Sequence, residues 1–165
     1  MARFGTYHFK AALLVAAVGA LAVCGVARAD ETDGTWRLVM RKLPDGTVQK
    51  PPVVQGLSTN KNGLNQLIVF WPTPDGKPAS LSQISNWEWS ETEVAATSVL
   101  MVFDDGSGKP PVYVVGGETK RVPLTRQGGR LSYQHPLNAP FIMWEGDRST
   151  ATLDGAFVDY WERVK

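Results

Sequence analysis

The sequence has one cysteine, Cys24, and two histidines, His8 and His135, in 165 residues. A lone thiol excludes an intramolecular disulfide and a cysteine-based zinc site, and so few imidazoles exclude a multi-histidine metal centre. Charge of one sign is also lacking. The 17 Lys and Arg stand against 16 Asp and Glu, a formal net charge of +1, and no basic stripe with interleaved aromatics argues for nucleic-acid binding. From Asp30 onward there is neither a long apolar run nor a dozen residues with a 3.6-residue apolar period. Neither a membrane-spanning helix nor the alternating helices of a parallel α/β fold is therefore expected. A repeat of roughly 20 to 50 residues is missing as well, which discounts propellers and solenoids.

The one apolar run stands at the start. Arg3, His8 and Lys10 precede the uncharged segment from Ala11 to Val26, which ends in Ala27-Arg28-Ala29. A short basic region, an apolar core and an A-x-A ending are the marks of a secretory signal peptide. The run is Ala-rich and shorter than the roughly 20 strongly apolar residues of a membrane anchor. We therefore expect a signal peptide over residues 1–29 with cleavage after Ala29, and one exported domain, periplasmic or secreted, over residues 30–165. That domain keeps 136 residues and a net charge of −2, because the leader removes Arg3, Lys10 and Arg28 but no acid. Leu21-Ala22-Val23-Cys24 also looks like a lipobox, although Val23 is a poor residue before the cut, so a lipoprotein anchored at Cys24 is the alternative. There is no twin-arginine pair, which implies export unfolded and without a preloaded cofactor; none is expected.

The remainder is rich in turn residues and in tryptophan. Short β-branched and aromatic runs recur at Thr35 to Leu43, Val53 to Thr59, Leu64 to Trp71, Leu81 to Trp89, Glu93 to Phe103 and Val112 to Val115, and continue at Thr119 to Thr125, Arg130 to His135, Phe141 to Glu145, Ser149 to Leu153 and Ala156 to Val164. Between them lie Pro44-Asp45-Gly46, Asn60-Lys61-Asn62-Gly63, Pro74-Asp75-Gly76, Asp104-Asp105-Gly106, Gly128-Gly129, Glu145-Gly146-Asp147 and Asp154-Gly155. Several of these separators are hairpin-sized, so the pattern predicts an all-β antiparallel meander. A meander of this length must deal with its edges. Closing into an up-and-down barrel of about eight to ten strands does so most simply, with a two-sheet sandwich as the competitor.

The two ends of this domain, Asp33-Gly34-Thr35-Trp36-Arg37-Leu38-Val39 and Asp154-Gly155-Ala156-Phe157-Val158-Asp159-Tyr160-Trp161-Glu162-Arg163-Val164, resemble the lipocalin-like proteins. The segment Pro51-Pro52-Val53-Val54-Gln55-Gly56-Leu57 and the late Ala151-Thr152 are similar to bacterial lipocalin-like domains of unassigned function. The resemblance implies a calycin-type barrel with Gly34 and Trp36 as its Gly-x-Trp at the closed end. It also implies a basic residue near the end of the last strand, here Arg163, packed across the indole. Geometry points the same way. If the first and last strands pair antiparallel, the start of one lies opposite the end of the other, and a guanidinium over an indole contributes about 0.5 to 2 kcal/mol. Trp36 and Arg163 are therefore expected as a structural pair.

All six tryptophans lie beyond Asp30. Residues two apart share a strand face, so Trp87 and Trp89 point the same way, as do Leu67, Val69 and Trp71, with Ile68 and Phe70 on the opposite face. Such a doubly apolar strand needs cover on both sides. Indole and phenol rings suit the wall of an apolar pocket, and we expect Trp71, Trp87, Trp89, Tyr133, Phe141 and Trp144 to line a site for a small hydrophobic or amphipathic molecule. The alternative is a solid core of the same rings, with an outer surface that recognises another envelope protein.

Signals for catalysis are weak. His135 is the only histidine after the leader and no carboxylate is marked as its partner. Asp104-Asp105-Gly106-Ser107-Gly108-Lys109 fits neither a calcium loop nor a phosphate loop. Asp159 sits between aromatics: facing inward it needs a partner such as an arginine, facing outward it is an ordinary surface acid. No catalytic residue and no metal is expected. Intact mass of the protein recovered from its own envelope is expected to match a chain starting at Asp30; a lipid-bearing chain starting at Cys24 would instead establish the lipoprotein.

Overall fold

The structure is a computed structural model that describes residues 31–165. The expected leader, its cleavage site after Ala29, and Cys24 lie outside the described residues. The described residues form one antiparallel sheet of 13 strands with no α-helix. In chain order these are β1 (Gly34–Lys42), β2 (Val48–Gln49), β3 (Gln55–Lys61), β4 (Leu64–Pro72), β5 (Pro78–Trp89), β6 (Glu93–Asp104) and β7 (Val112–Val115), followed by β8 (Lys120–Pro123), β9 (Thr125–Gln127), β10 (Arg130–Gln134), β11 (Phe141–Glu145), β12 (Arg148–Leu153) and β13 (Phe157–Arg163). The hydrogen-bonded order is β7-β6-β5-β4-β3-β1-β13-β12-β11-β10-β9, with β2 attached to β1 and β8 to β6. The all-β antiparallel expectation holds.

The expected closed barrel of about eight to ten strands is corrected: the sheet does not close, and the reason lies in the segment expected as one strand from Thr119 to Thr125. It changes partners at Leu124. Lys120–Pro123 pairs with β6, while Thr125–Gln127 pairs with β10. Pro123 has no N–H to offer a second neighbour, and the Leu124 N–H donates to the Thr92 carbonyl at 2.7 Å. The Leu124 side chain is buried with Val94, Leu131, Tyr133 and Ile142. The covalent chain, and not a hydrogen-bonded ladder, thus joins the two ends of the sheet, and β7 is left as an edge.

One face of the sheet encloses two apolar clusters, one of Trp36, Leu38, Val54, Val69 and Trp161, the other around Val94 and Leu124. All six tryptophans pack on this inner face, as members of a cluster or against one. Bulges keep the pattern facing inward. The β1–β13 register slips between Leu38 and Met40, so Arg41, three residues beyond the buried Leu38, turns to the same face. A second slip pairs Ile84 with Leu100 but Ser85 with Ser98, which leaves Val99 unpaired and exposed and brings Met101 and Phe103 opposite the inner Gln83 and Leu81.

Because of the first bulge, Arg41 meets Asp159 directly across the ladder. Its Nε and second guanidinium nitrogen donate to the two carboxylate oxygens at 2.6 and 2.7 Å, with side chains only 6% and 4% exposed. The guanidinium also lies 4.1 Å from the Phe157 ring and 5.3 Å from the Trp71 ring. Burial pushes the Asp159 carboxyl above its usual range, and Arg41 pulls it partly back. Asp159 therefore faces inward with an arginine partner, and the pair ties strand to strand without offering a site.

At the other end of the same ladder, Arg163 lies 4.3 Å over the Trp36 ring, its Cα partner. Its guanidinium donates to the Glu31 carbonyl at 2.9 Å, to the Asp147 carboxylate at 3.0 Å and to the Asp33 carbonyl. Gly34 is needed here for two reasons: its φ of +131° lies where side chains are strained, and a Cβ would stand 2.5 Å from the Arg163 guanidinium.

Removing one member of a buried ion pair leaves the other charge uncompensated. Arg41→Met is expected to lower unfolding free energy by about 3 to 5 kcal/mol, and Arg41→Met with Asp159→Leu to recover most of it. Urea denaturation of the three proteins checks this; equal losses in single and double variants would refute it.

Candidate functional site

The inner face leaves a cavity of about 90 Å³ lined by Trp36, Trp87, Trp89, Tyr133, His135 and Trp144, with further aromatic, small and amide side chains completing the wall. Strand parity delivers the rings. Trp87 and Trp89, two apart on β5, stack with centroids 5.6 Å apart and planes 19° apart, and both meet Tyr133 edge-on at 5.9 and 5.5 Å. Trp36 meets Trp144 edge-on at 4.5 Å, a pair that joins β1 to β11.

Across from the rings the wall is polar. Asn65 donates its side-chain amide to Ser58 Oγ at 3.0 Å, and the Trp87 indole N–H donates to Ser85 Oγ at 2.8 Å. Trp36 donates to the Thr32 carbonyl at 3.0 Å, and Trp144 to the Tyr133 hydroxyl at 3.2 Å. That last bond uses the Tyr133 oxygen as acceptor and leaves its own proton to donate. Burial holds the Tyr133 phenol well above its usual range, so it stays protonated.

His135 has a fixed tautomer. The backbone N–H groups of Leu137 and Asn138 both donate to Nδ1 at 3.1 Å, which places the ring proton on Nε2. The ring stands perpendicular to Trp87 at 5.1 Å, and Asn138 from the same turn donates to Gln83 Oε1 at 2.8 Å, pinning the β10–β11 connection onto β5. The residue keeps some exposure, yet desolvation of its ring pushes the pKa down to about 4. His135 is thus neutral at ordinary pH. Its Nδ1 is held by backbone donors, where a general base would be oriented by a carboxylate.

Of the six expected lining residues, Trp87, Trp89, Tyr133 and Trp144 come together at the cavity. Trp71 does not: it packs against the Trp36 cluster away from the cavity wall, stacked on Phe103 at 6.3 Å and beside Arg41. Phe141 points outward and is 45% exposed, because its neighbour Ile142 takes the inner position on β11. Trp36, expected only in its structural pair with Arg163, and Trp161 line the cavity, as do His135, Ser58, Asn60 and Asn65. Ser58 and Asn60 were hidden by an inverted pattern on β3, where Gly56, Ser58 and Asn60 share the face opposite Leu57, while Asn65 lies on the Leu67 face of β4. Gly56 explains the inversion: a Cβ there would lie 2.6 Å from the Trp161 ring, so the indole occupies space that a side chain would need.

Among the described residues no group of three or more His, Cys, Asp or Glu is placed to hold a metal ion, and no helix is long and apolar enough to cross a membrane. Comparison with protein-family models, curated proteins and solved structures finds no match to this chain.

Since native His135 binds its proton only near pH 4, while an unfolded chain does so near 6.5, the unfolded state holds more protons between these values. Stability is expected to fall by about 2 to 3 kcal/mol as pH drops through that window. The raised pKa of Asp159 acts in the opposite sense above 3.8, so the comparison needs proteins that differ only at His135. His135→Asn, which keeps an acceptor for the turn but cannot titrate, should flatten the profile between pH 6.5 and about 4; an unchanged slope would show that His135 is not its source.

Proposed function

We propose that this is an exported lipocalin-like binding domain whose aromatic cavity holds one small, uncharged molecule carrying a hydrogen-bond acceptor. The observation that carries the reading is a pair of donors set among indoles: the spare Tyr133 hydroxyl proton and the Nε2–H of His135. Among the described residues no charged side chain lines the cavity, so an ionic ligand would find no counter-charge there, whereas a carbonyl or ether oxygen would find donors. The volume limits the ligand. Drug-sized molecules occupy roughly 300 Å³ or more and benzene fits an engineered cavity of about 150 Å³, so about 90 Å³ points to a molecule smaller than benzene. Both donors stay neutral at ordinary pH, which suits binding and gives no proton-transfer chemistry.

Tetrahydrofuran, a five-membered ring with one ether oxygen, serves as the probe, with cyclopentane as its apolar match. Tetrahydrofuran is expected to change tryptophan fluorescence saturably and to bind more tightly than cyclopentane. Tyr133→Phe should weaken tetrahydrofuran about tenfold and leave cyclopentane unchanged, since only the hydroxyl is removed. Phe141→Ala, outside the cavity, should alter neither. Flat titrations with both compounds would refute the reading.

A further inference from the structure

Among the described residues β7 is an edge strand with nothing to protect it. Val112, Tyr113, Val114 and Val115 are 55%, 66%, 37% and 83% exposed, pair with β6 along one side only, and carry no charge. Exposed apolar edges are ordinarily blunted by lysine, proline, bulges or a covering segment, because their unpaired N–H and C=O groups are templates for another strand. Here the blunting residues stand outside the strand: Lys109, Pro110 and Pro111 before it, Gly116, Gly117 and Glu118 after it.

The flanking charges indicate which strand pairs with it. In an antiparallel pair, residues opposite each other must point to the same side of the sheet, so a two-fold axis can pass through a residue but not between two. With the axis at Tyr113, the two Tyr113 rings face each other and Val112 of each copy meets Val114 of the other. Lys109 lies four residues before the axis and Glu118 five after it. In this arrangement the lysine of one copy comes to the same end as the glutamate of the other, at both ends. A parallel pair would instead set lysine beside lysine and glutamate beside glutamate.

We infer that the edge of β7 binds the β7 edge of a second copy of this chain, antiparallel about a two-fold axis at Tyr113, with Lys109 of each copy against Glu118 of the other. The contact is isologous, so it closes at two copies instead of propagating. It extends the sheet across both molecules through main-chain bonds, with an aromatic pair at the centre. The cavity lies elsewhere on the sheet, so this inference stands or falls independently of ligand binding.

Sedimentation equilibrium of the exported protein over a wide concentration range, combined with charge reversal, tests it. A dimer is expected. Lys109→Glu should weaken dimerisation about tenfold by setting like charges together, and adding Glu118→Lys should restore it. Tyr113→Cys should form an intermolecular disulfide under mild oxidation, because residues facing each other in an antiparallel pair have Cα atoms about 4.5 to 5.5 Å apart. Val48→Cys, exposed but away from β7, should not. A monomer at every concentration would overturn the inference, as would a dimer indifferent to the charge reversals or a Tyr113→Cys protein that fails to cross-link.

Discussion

The ladder between β1 and β13 is the constraint on which the rest depends. Strands β1 to β7 form one meander and β9 to β13 another, and among the described residues this ladder is the hydrogen-bonded junction between them, with the covalent turn at Leu124 as the second link. Its two ends are secured by different chemistry. One holds Arg41 and Asp159 in a buried, doubly bonded pair; the other lays Arg163 on Trp36 and bonds it to the chain leading into β1. The cavity exists because of this junction. Trp87 and Trp89 come from the first meander, Tyr133, His135 and Trp144 from the second, and they face each other only when the meanders are held edge to edge.

Crowding by indoles shapes everything around that junction. Six tryptophans pack on one face, and β3 answers them with glycine, serine and asparagine in place of aliphatic residues. Gly56 gives way to Trp161, and Gly34 to Arg163. What space is left is small, and its polar lining follows from the same exchange: short polar side chains fit where leucine would not, and they bring hydrogen-bonding groups with them. A narrow aromatic cavity with a few fixed donors and acceptors results, and the proposed ligand would be selected there by the position of one acceptor more than by apolar area.

The open seam has the opposite consequence. A closed ring would have paired every edge, whereas the change of partners at Leu124 lets β8 serve β6 and β9 serve β10, and exposes β7. The connection after His135 covers the interior nearby through Asn138 and Gln83, so the gap does not empty the core. Among the described residues it leaves the edge itself bare, with apolar side chains on both of its faces.

Turn chemistry and alternation made the antiparallel all-β architecture legible in the sequence, since those signals act between residues only a few positions apart. They also located ten of the strands to within about three residues, in keeping with the usual uncertainty of element ends, and they set Trp87 and Trp89 on a common face. The Trp36–Arg163 juxtaposition was legible too, because antiparallel pairing of the chain ends leaves it little freedom. The rest was decided between strands distant in the chain. Which way Asp159, Phe141 and Trp71 face depended on bulges and pairing register, and a one-residue slip reverses a strand without changing its composition. The division at Leu124 depended on two competing partners, β6 and β10, and the burial of His135 on a turn folding against β5. Sequence periodicity records which residues alternate; only tertiary packing decides which side is inside, and how much room is left there.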